Sequence, residues 1–196
     1  MQDRSQATYQ QILTSAEKCF TQSGYSNASV DEICADAGVS KGAFYHHFSS
    51  KHAAFMALLE DWLKNIDHQM ASLENQAENV PKALIRMAGM LRFIFRSAGG
   101  QLPMFLEFWA QASRNEEVWQ TTIAPYHRYH QLFTRLIERG LEEGSLQSND
   151  PQLTAWVILA LATGVLLQGL LDPQGAAWEE VAEHGMQVLM KGLQKV

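Results

Sequence analysis

Lys41, Tyr45, His46, His47 and Lys51 lie in one short run, with Gly42 and Ala43 among them and Ser29 and Ser40 upstream. These residue types recognise nucleic acid. A lysine donates to guanine O6 and N7 in a major groove. A tyrosine hydroxyl suits a phosphate, and so do a serine or lysine at a helix start, where free N–H groups and the helix dipole favour an anion. Phosphate contacts position a protein and base contacts specify. Ser29, Tyr45 and Lys51 are therefore assigned to phosphate, and Lys41, Gly42 and His46 to base edges. Gly42 lets the backbone approach, Ala43 offers only an apolar contact such as a thymine methyl, and His47 faces the DNA backbone or a base. Adjacent residues on a helix point about 100° apart, so His46 and His47 do not share a metal ion, and neither metal nor cofactor is expected.

The elements that position these groups are legible. Ser29 is an N-cap, and Glu32 three residues on completes a capping box. Ile33, Cys34 and Ala37 give the helix an apolar stripe, Gly38 ends it in left-handed geometry, and Val39 plugs the turn. Ser40 caps a second short helix anchored by Phe44, with Phe48 also in the core. A helix-turn-helix that buries its first helix and presents its second is built to place the second in the major groove.

Elsewhere apolar residues recur at helical spacing. The expected helices cover about 4–23, the two of the motif, 50–76, 81 to Gly99-Gly100, 102–113, a stretch ending near Gly140–Gly144, 151–171 and 176–195. Pro81 suits a first turn. Pro125 should kink its helix or mark its true start. The fold expected is all-α, about nine helices. Residues 1–50 form a three-helix DNA-binding domain, and a long helix joins it to a helical effector-binding and dimerisation domain, 51–196.

The net charge is −6, and residues 1–55 carry four Lys/Arg against five Asp/Glu. A DNA-binding domain usually prefers a basic balance, so positive charge must be local to the reading edge. Cys19 and Cys34 are too few for a disulfide framework, and no signal peptide precedes the first helix. A cytoplasmic protein is expected. Leu153–Leu171 is free of charge and about long enough to span a bilayer. Its threonines, glutamine and glycines, and the acidic Asp150 and Asp172 at its ends, favour a buried helix and no membrane.

In combination, "SVDEI", "AGVS", "KGAFYHHF" and "SSK", with "AEKCFTQSGY" upstream, resemble the tetracycline-repressor (TetR) family of transcriptional regulators over about Ile12–Leu59. From Leu106 to Gly144 the pattern is similar to the choline-responsive, BetI-like branch. The resemblance implies a repressor that binds a palindromic double-stranded operator as a homodimer. A hydrophobic or aromatic small-molecule effector would release it by swinging the fourth helix.

For the effector pocket the resemblance points to the middle helices, with Phe93, Phe105, Phe108, Trp109, Trp119, Tyr126, His127, His130 and Trp156 as candidates. Glu107 lies off the Phe105/Phe108/Trp109 face and reads as a surface carboxylate. The last two helices suit dimerisation, through Trp156, Ala160, Gly164, Leu167, Trp178, Val181, Gly185, Met186 and Leu189. Two alternatives stand beside this. One is a redox-responsive regulator using Cys19 and Cys34, whose bland reading is a pair of buried thiols. The other is a helical small-molecule carrier that does not bind DNA. No nucleophile–base pair supports an enzyme.

Overall fold

The computed structural model describes the backbone of residues 2–193, and the side chains of these except 2–4, 92–105, 108 and 122. Among the described residues there are eight helices and no strand: α1 (Gln2–Asn27), α2 (Val30–Ala37), α3 (Lys41–His47), α4 (Lys51–Asn75), α5 (Val80–Ala112), α6 (Glu116–Glu142), α7 (Pro151–Leu171) and α8 (Trp178–Leu193). α1 is broken at Gly24, whose φ of 75° and ψ of 158° are not helical, so the described chain holds nine helical segments.

Caps set most of the starts. Ser29, Ser40 and Ser50 accept from N–H groups in the first turns of α2, α3 and α4. Asn79, Asn115 and Asp150 do the same for α5, α6 and α7. Each satisfies donors that a helix start leaves unpaired.

Two expected boundaries differ. α5 runs unbroken through Gly99-Gly100 and Pro103, where two helices were expected. A glycine in a helix costs only about 1 kcal/mol, which neighbouring turns can offset. α6 begins nine residues before Pro125 and continues past it, so the proline does not mark its start.

The chain divides into two compact units, residues 1–65 with 99–119, and residues 66–98 with 120–196. The first unit thus takes in the first half of α4, beyond residue 50. Ala54, Phe55 and Leu59 of α4 are buried in the same core as Ile12, Phe20, Ile33 and Phe44. Phe20 meets Phe55 edge-on at 5.6 Å, and Tyr25 lies 4.5 Å from Phe55. Lys18 on α1 pairs with Asp36 on α2. The Lys18 ammonium and the Ser15 hydroxyl hold the Asp36 carboxyl below its usual range, and Asp36 raises Lys18 in turn.

The second unit packs the rest of α4 and α5 with α6, α7 and α8 around Val80, Leu84, Leu136, Ile137, Ile158 and Met190, all 1% exposed or less. Arg128 pairs with Asp67 at 2.8 Å and Arg139 with Glu74 at 2.9 Å, tying α6 to α4. α7 is long and apolar enough to cross a membrane by length and composition, with a mean hydropathy of 1.9. It packs against α8 and buries Ala155, Ile158, Leu159, Val165 and Gly169. Leu153, Trp156, Val157 and Leu171 stay exposed on it.

Two outcomes follow. A Cβ at Gly140 would come within 2.5 Å of Cδ1 of the buried Leu146. Gly140→Ala should therefore destabilise the protein by about 1–3 kcal/mol in urea unfolding. The depressed Asp36 carboxyl contributes stability above an unfolded carboxylate pKa of about 4, and that stability is lost as pH falls through the folded value. The raised Lys18 contributes below about pH 10 and loses its part above that. The difference in urea midpoint between wild type and Asp36→Asn should be flat from about pH 5 to 9 and vanish on acidification.

Candidate functional site

The reading head is built as the capping residues dictate. Ser29 Oγ accepts from the Glu32 N–H at 3.2 Å, while Glu32 Oε2 accepts from the Ser29 N–H at 2.8 Å. Gly38 sits at φ 64°, ψ 30°, and the next N–H, of Val39, reaches the Cys34 carbonyl at 3.0 Å. Ser40 Oγ accepts from Ala43 N–H at 3.1 Å, fixing the start of α3. Phe44 is fully buried and Phe48 nearly so, which anchors α3 and turns its other side outward.

On that outward side Tyr45 is 54% exposed, packed edge-on against Phe44. Lys41, Gly42 and His46 are exposed, Ala43 and His47 half-buried. His47 meets Tyr9 edge-on at 6.0 Å. The Lys41 ammonium pairs with Asp31 on α2 at 2.6 Å, both side chains well exposed. A surface pair of this kind is worth only about 0–1 kcal/mol, so it is readily exchanged for a stronger anion.

Lys51 opens α4, where the sequence reading put it. Its ammonium donates to the carbonyls of Tyr25 at 2.6 Å and Ala28 at 2.8 Å, with Ser26 O at 3.5 Å. It also lies 4.5 Å over the Tyr25 ring. An ammonium has three donors, and here all three face backbone oxygens. It thereby binds the chain reversal between α1 and α2 to the start of α4. These carbonyls are free because α1 ends at Asn27: the Ser29 N–H, which a continuing helix would turn to the Tyr25 carbonyl, goes to Glu32 Oε2 instead.

Beside this latch lies a group that the sequence reading did not find. Tyr25 Oη is 3.4 Å from His52 Nδ1, and His52 Nε2 is 3.5 Å from Glu117 Oε2. Glu107, expected at the surface, is half-buried and accepts from Gln111 at 3.0 Å. Its Oε2 lies 3.8 Å from where a Cβ on Gly24 would stand. No spacing rule brings residues 24, 52, 107 and 117 together.

Cys34 is buried and Cys19 half-buried. Burial pushes both thiols up, away from the thiolate that a redox sensor needs. Among the described residues no cluster of His, Cys, Asp and Glu is placed to hold a metal ion.

An apolar cavity of about 70 Å³ lies within the second unit, with Met70, Met87, Met90, Met186, Phe133 and Leu161 among its lining residues. None of the six expected pocket residues whose side chains are described lines it. The side chains of Phe93, Phe105 and Phe108 lie outside the described residues. Trp109 and Trp119 belong to the first unit. Tyr126 is half-buried and bonds to Thr163, and burial raises its hydroxyl. His127 is exposed. His130 stacks on Trp156 at 4.2 Å and bonds the Gln152 carbonyl at 3.0 Å. Tyr126, His130 and Trp156 thus join α6 to α7. Aromatic count pointed to the middle helices, whereas the cavity is walled by methionines, whose helical spacing reads as ordinary core.

Of the expected dimerisation residues, Trp156, Ala160 and Val181 are exposed, and Gly164, Leu167, Trp178 and Leu189 are half-buried. Met186 is corrected: it is 4% exposed and lines the cavity of its own chain. Gly185 also faces inward, since a Cβ there would stand 3.0 Å from Leu161 Cδ1.

Two family models match this chain: "Bacterial regulatory proteins, tetR family" over residues 12–58, and "BetI-type transcriptional repressor, C-terminal" over residues 86–194. The chain belongs to the TetR family of transcriptional regulators, with a BetI-type C-terminal domain. It is 24% identical to the HTH-type transcriptional regulator UidR of Escherichia coli strain K12, over 98% of this chain and 96% of that one. It is 27% identical to the HTH-type transcriptional repressor DhaR of Mycobacterium sp. strain GP1, over 81% of this chain and 80% of DhaR. A regulator from Saccharomonospora viridis, solved in complex with choline, shares the fold at a TM-score of 0.84 and 18% identity, covering 97% of this chain and all of that one. This chain is thus a TetR-family transcriptional regulator.

The latch makes a measurable distinction. Lys51→Met should lower stability by about 2–3 kcal/mol in urea unfolding, because charged hydrogen bonds are lost and carbonyls are left without donors. The salt slope of DNA binding should stay unchanged in the fraction that remains folded.

Proposed function

We propose that this regulator is a repressor that binds a palindromic operator as a homodimer and leaves it when a hydrophobic effector enters the cavity of the second unit. The observation that carries the reading is α4. Its Ala54, Phe55 and Leu59 sit in the core that holds α3, and its Ile66 and Met70 line the cavity. An effector that displaces Ile66 and Met70 acts on the same helix whose first half seats the reading head. A coupling of roughly 1–3 kcal/mol is typical of such linkage, and it suffices to vacate an operator.

Lys41, Gly42 and His46 meet base edges in this reading, with Ala43 against an apolar base edge. Tyr45 and His47 meet the backbone, and the starts of α2 and α3 at Ser29 and Ser40 lie along phosphates. One such head makes few contacts, whereas specific recognition takes about 4–10 kcal/mol over non-specific binding. A second copy supplies the rest, with half-sites about 34–36 Å apart. The exposed apolar row of α7 and α8, Leu153, Trp156, Val157, Val181 and Val188, supports that pairing, and Ala160 and Gly164 allow close approach. A soluble, cytoplasmic protein without catalysis fits this role.

The test uses an operator selected from random DNA and read by fluorescence anisotropy. Tyr45→Phe should weaken binding about three- to tenfold on every sequence. Lys41→Ala should weaken it at least tenfold and change the salt slope by about one. Unchanged affinity in both variants defeats the assigned interface. Without DNA the chain should sediment as a dimer, and Val157→Glu should yield a monomer that no longer holds the operator.

A further inference from the structure

The cavity is too small for a whole effector, and its surroundings show where the remainder goes. A cavity of ~150 Å³ holds a benzene ring; about 70 Å³ takes roughly three carbons. Its walls are soft, because Met70, Met87, Met90 and Met186 are unbranched thioethers that re-pack around an irregular guest. A second, open depression lies next to it, lined by Gln69, Ser72, Arg86, Gly89, Met90 and Glu183. Met90 belongs to both linings and is 7% exposed. α4, α5 and α8 each give neighbouring residues to the two spaces: Met70 and Gln69, Met87 and Arg86, Ala182 and Glu183.

The depression, though also lined by Leu73 and Ile85, carries polar groups that the cavity lacks. It carries one guanidinium and one carboxylate, together with an amide and a hydroxyl. Arg86 spends Nη1 on the Gln76 carbonyl at 2.8 Å, and a guanidinium has five donors. Gly89 keeps the floor low beside Glu183: a Cβ there would stand 3.3 Å from Glu183 Oε1. The pair of opposite charges gives no net preference for a charged guest.

We propose that the effector is a linear amphiphile whose alkyl end fills the methionine cavity and whose neutral, hydrogen-bonding head lies in the groove of Gln69, Ser72, Arg86 and Glu183, admitted by displacement of Met90. This rests on the reading of the cavity as the effector site. Burying a methylene is worth about fourfold in affinity, so chain length reads out the depth of the cavity directly.

The full chain, labelled with ¹³C at its methionine methyls, is titrated with n-alkanamides from propanamide to octanamide. Single Met→Leu variants assign the signals. The methyls of Met70, Met87, Met90 and Met186 should shift together. Affinity should rise about fourfold per methylene at first, then level off as the cavity fills. Hexanoate and hexylammonium should bind at least threefold more weakly than hexanamide. Gly89→Leu, which fills the groove, should weaken hexanamide at least tenfold. Met90→Ala, which removes the partition, should move the plateau to longer chains. Shifts outside these four methyls, an affinity independent of chain length, tighter binding of a charged head, or an unchanged plateau in Met90→Ala would each overturn the proposal. A folded Gly89→Leu variant that binds hexanamide normally would do the same. Operator binding is measured separately on the same preparation. Its retention without any amide binding defeats this inference alone, and its absence defeats the regulator reading whatever the amides do.

Discussion

The ammonium of Lys51, held among the carbonyls of Tyr25, Ser26 and Ala28, is the contact on which the reading head depends. The head needs α1, α2 and α4 to converge so that α3 is seated with one side outward. α1 ends at Asn27 to let the chain turn into α2, and that end leaves carbonyls pointing at no N–H. Unpaired carbonyls away from water are costly. One charged donor set from the first residue of α4 satisfies them and fixes the angle at which α4 leaves. The Tyr25 ring is trapped between Lys51 and Phe55 by the same arrangement. The Lys51 ammonium is thereby engaged within the fold, while the Lys41 ammonium stays exposed beside Asp31.

A second constraint shapes the other unit. α7 carries no charge from Pro151 to Leu171, yet it buries only one side against its own chain. A helix apolar all round must be covered on more than one side in a soluble fold. Within the chain that cover comes from α8, whose Gly185 lets Leu161 approach closely. Leu153 and Val157 stay exposed beyond that cover, and Trp156, stacked on His130, does so in part. The cavity sits on the covered side, so filling it presses on helices that also carry the exposed apolar row.

Local grammar made much of this legible. Serine, asparagine and aspartate caps, the capping box of Ser29 and Glu32, and the left-handed Gly38 all act within four residues, so their geometry is written in the order of the chain. The core positions Ile33, Phe44 and Phe55 follow from helical period in the same way. The α5 boundary was misread because Gly99-Gly100 only weakens a helix and does not forbid it.

Side-chain destinations across the fold were another matter. A lysine at a helix start suits a phosphate or a carbonyl equally, and only the packing of the α1–α2 turn beside the start of α4 brought these carbonyls to Lys51. Methionines at helical spacing look like any core, and only the packing of α4, α5 and α8 left a void among them. The sequence by itself determined the helices, their caps and the face that α3 presents, because those depend on contacts a few residues apart. Only the tertiary structure decided that Lys51 is a latch, that Met186 is a cavity wall and that His52 meets Glu117. These depend on residues tens of positions apart, brought together by burying apolar surface, and that pull carries no label of its partner in the local sequence.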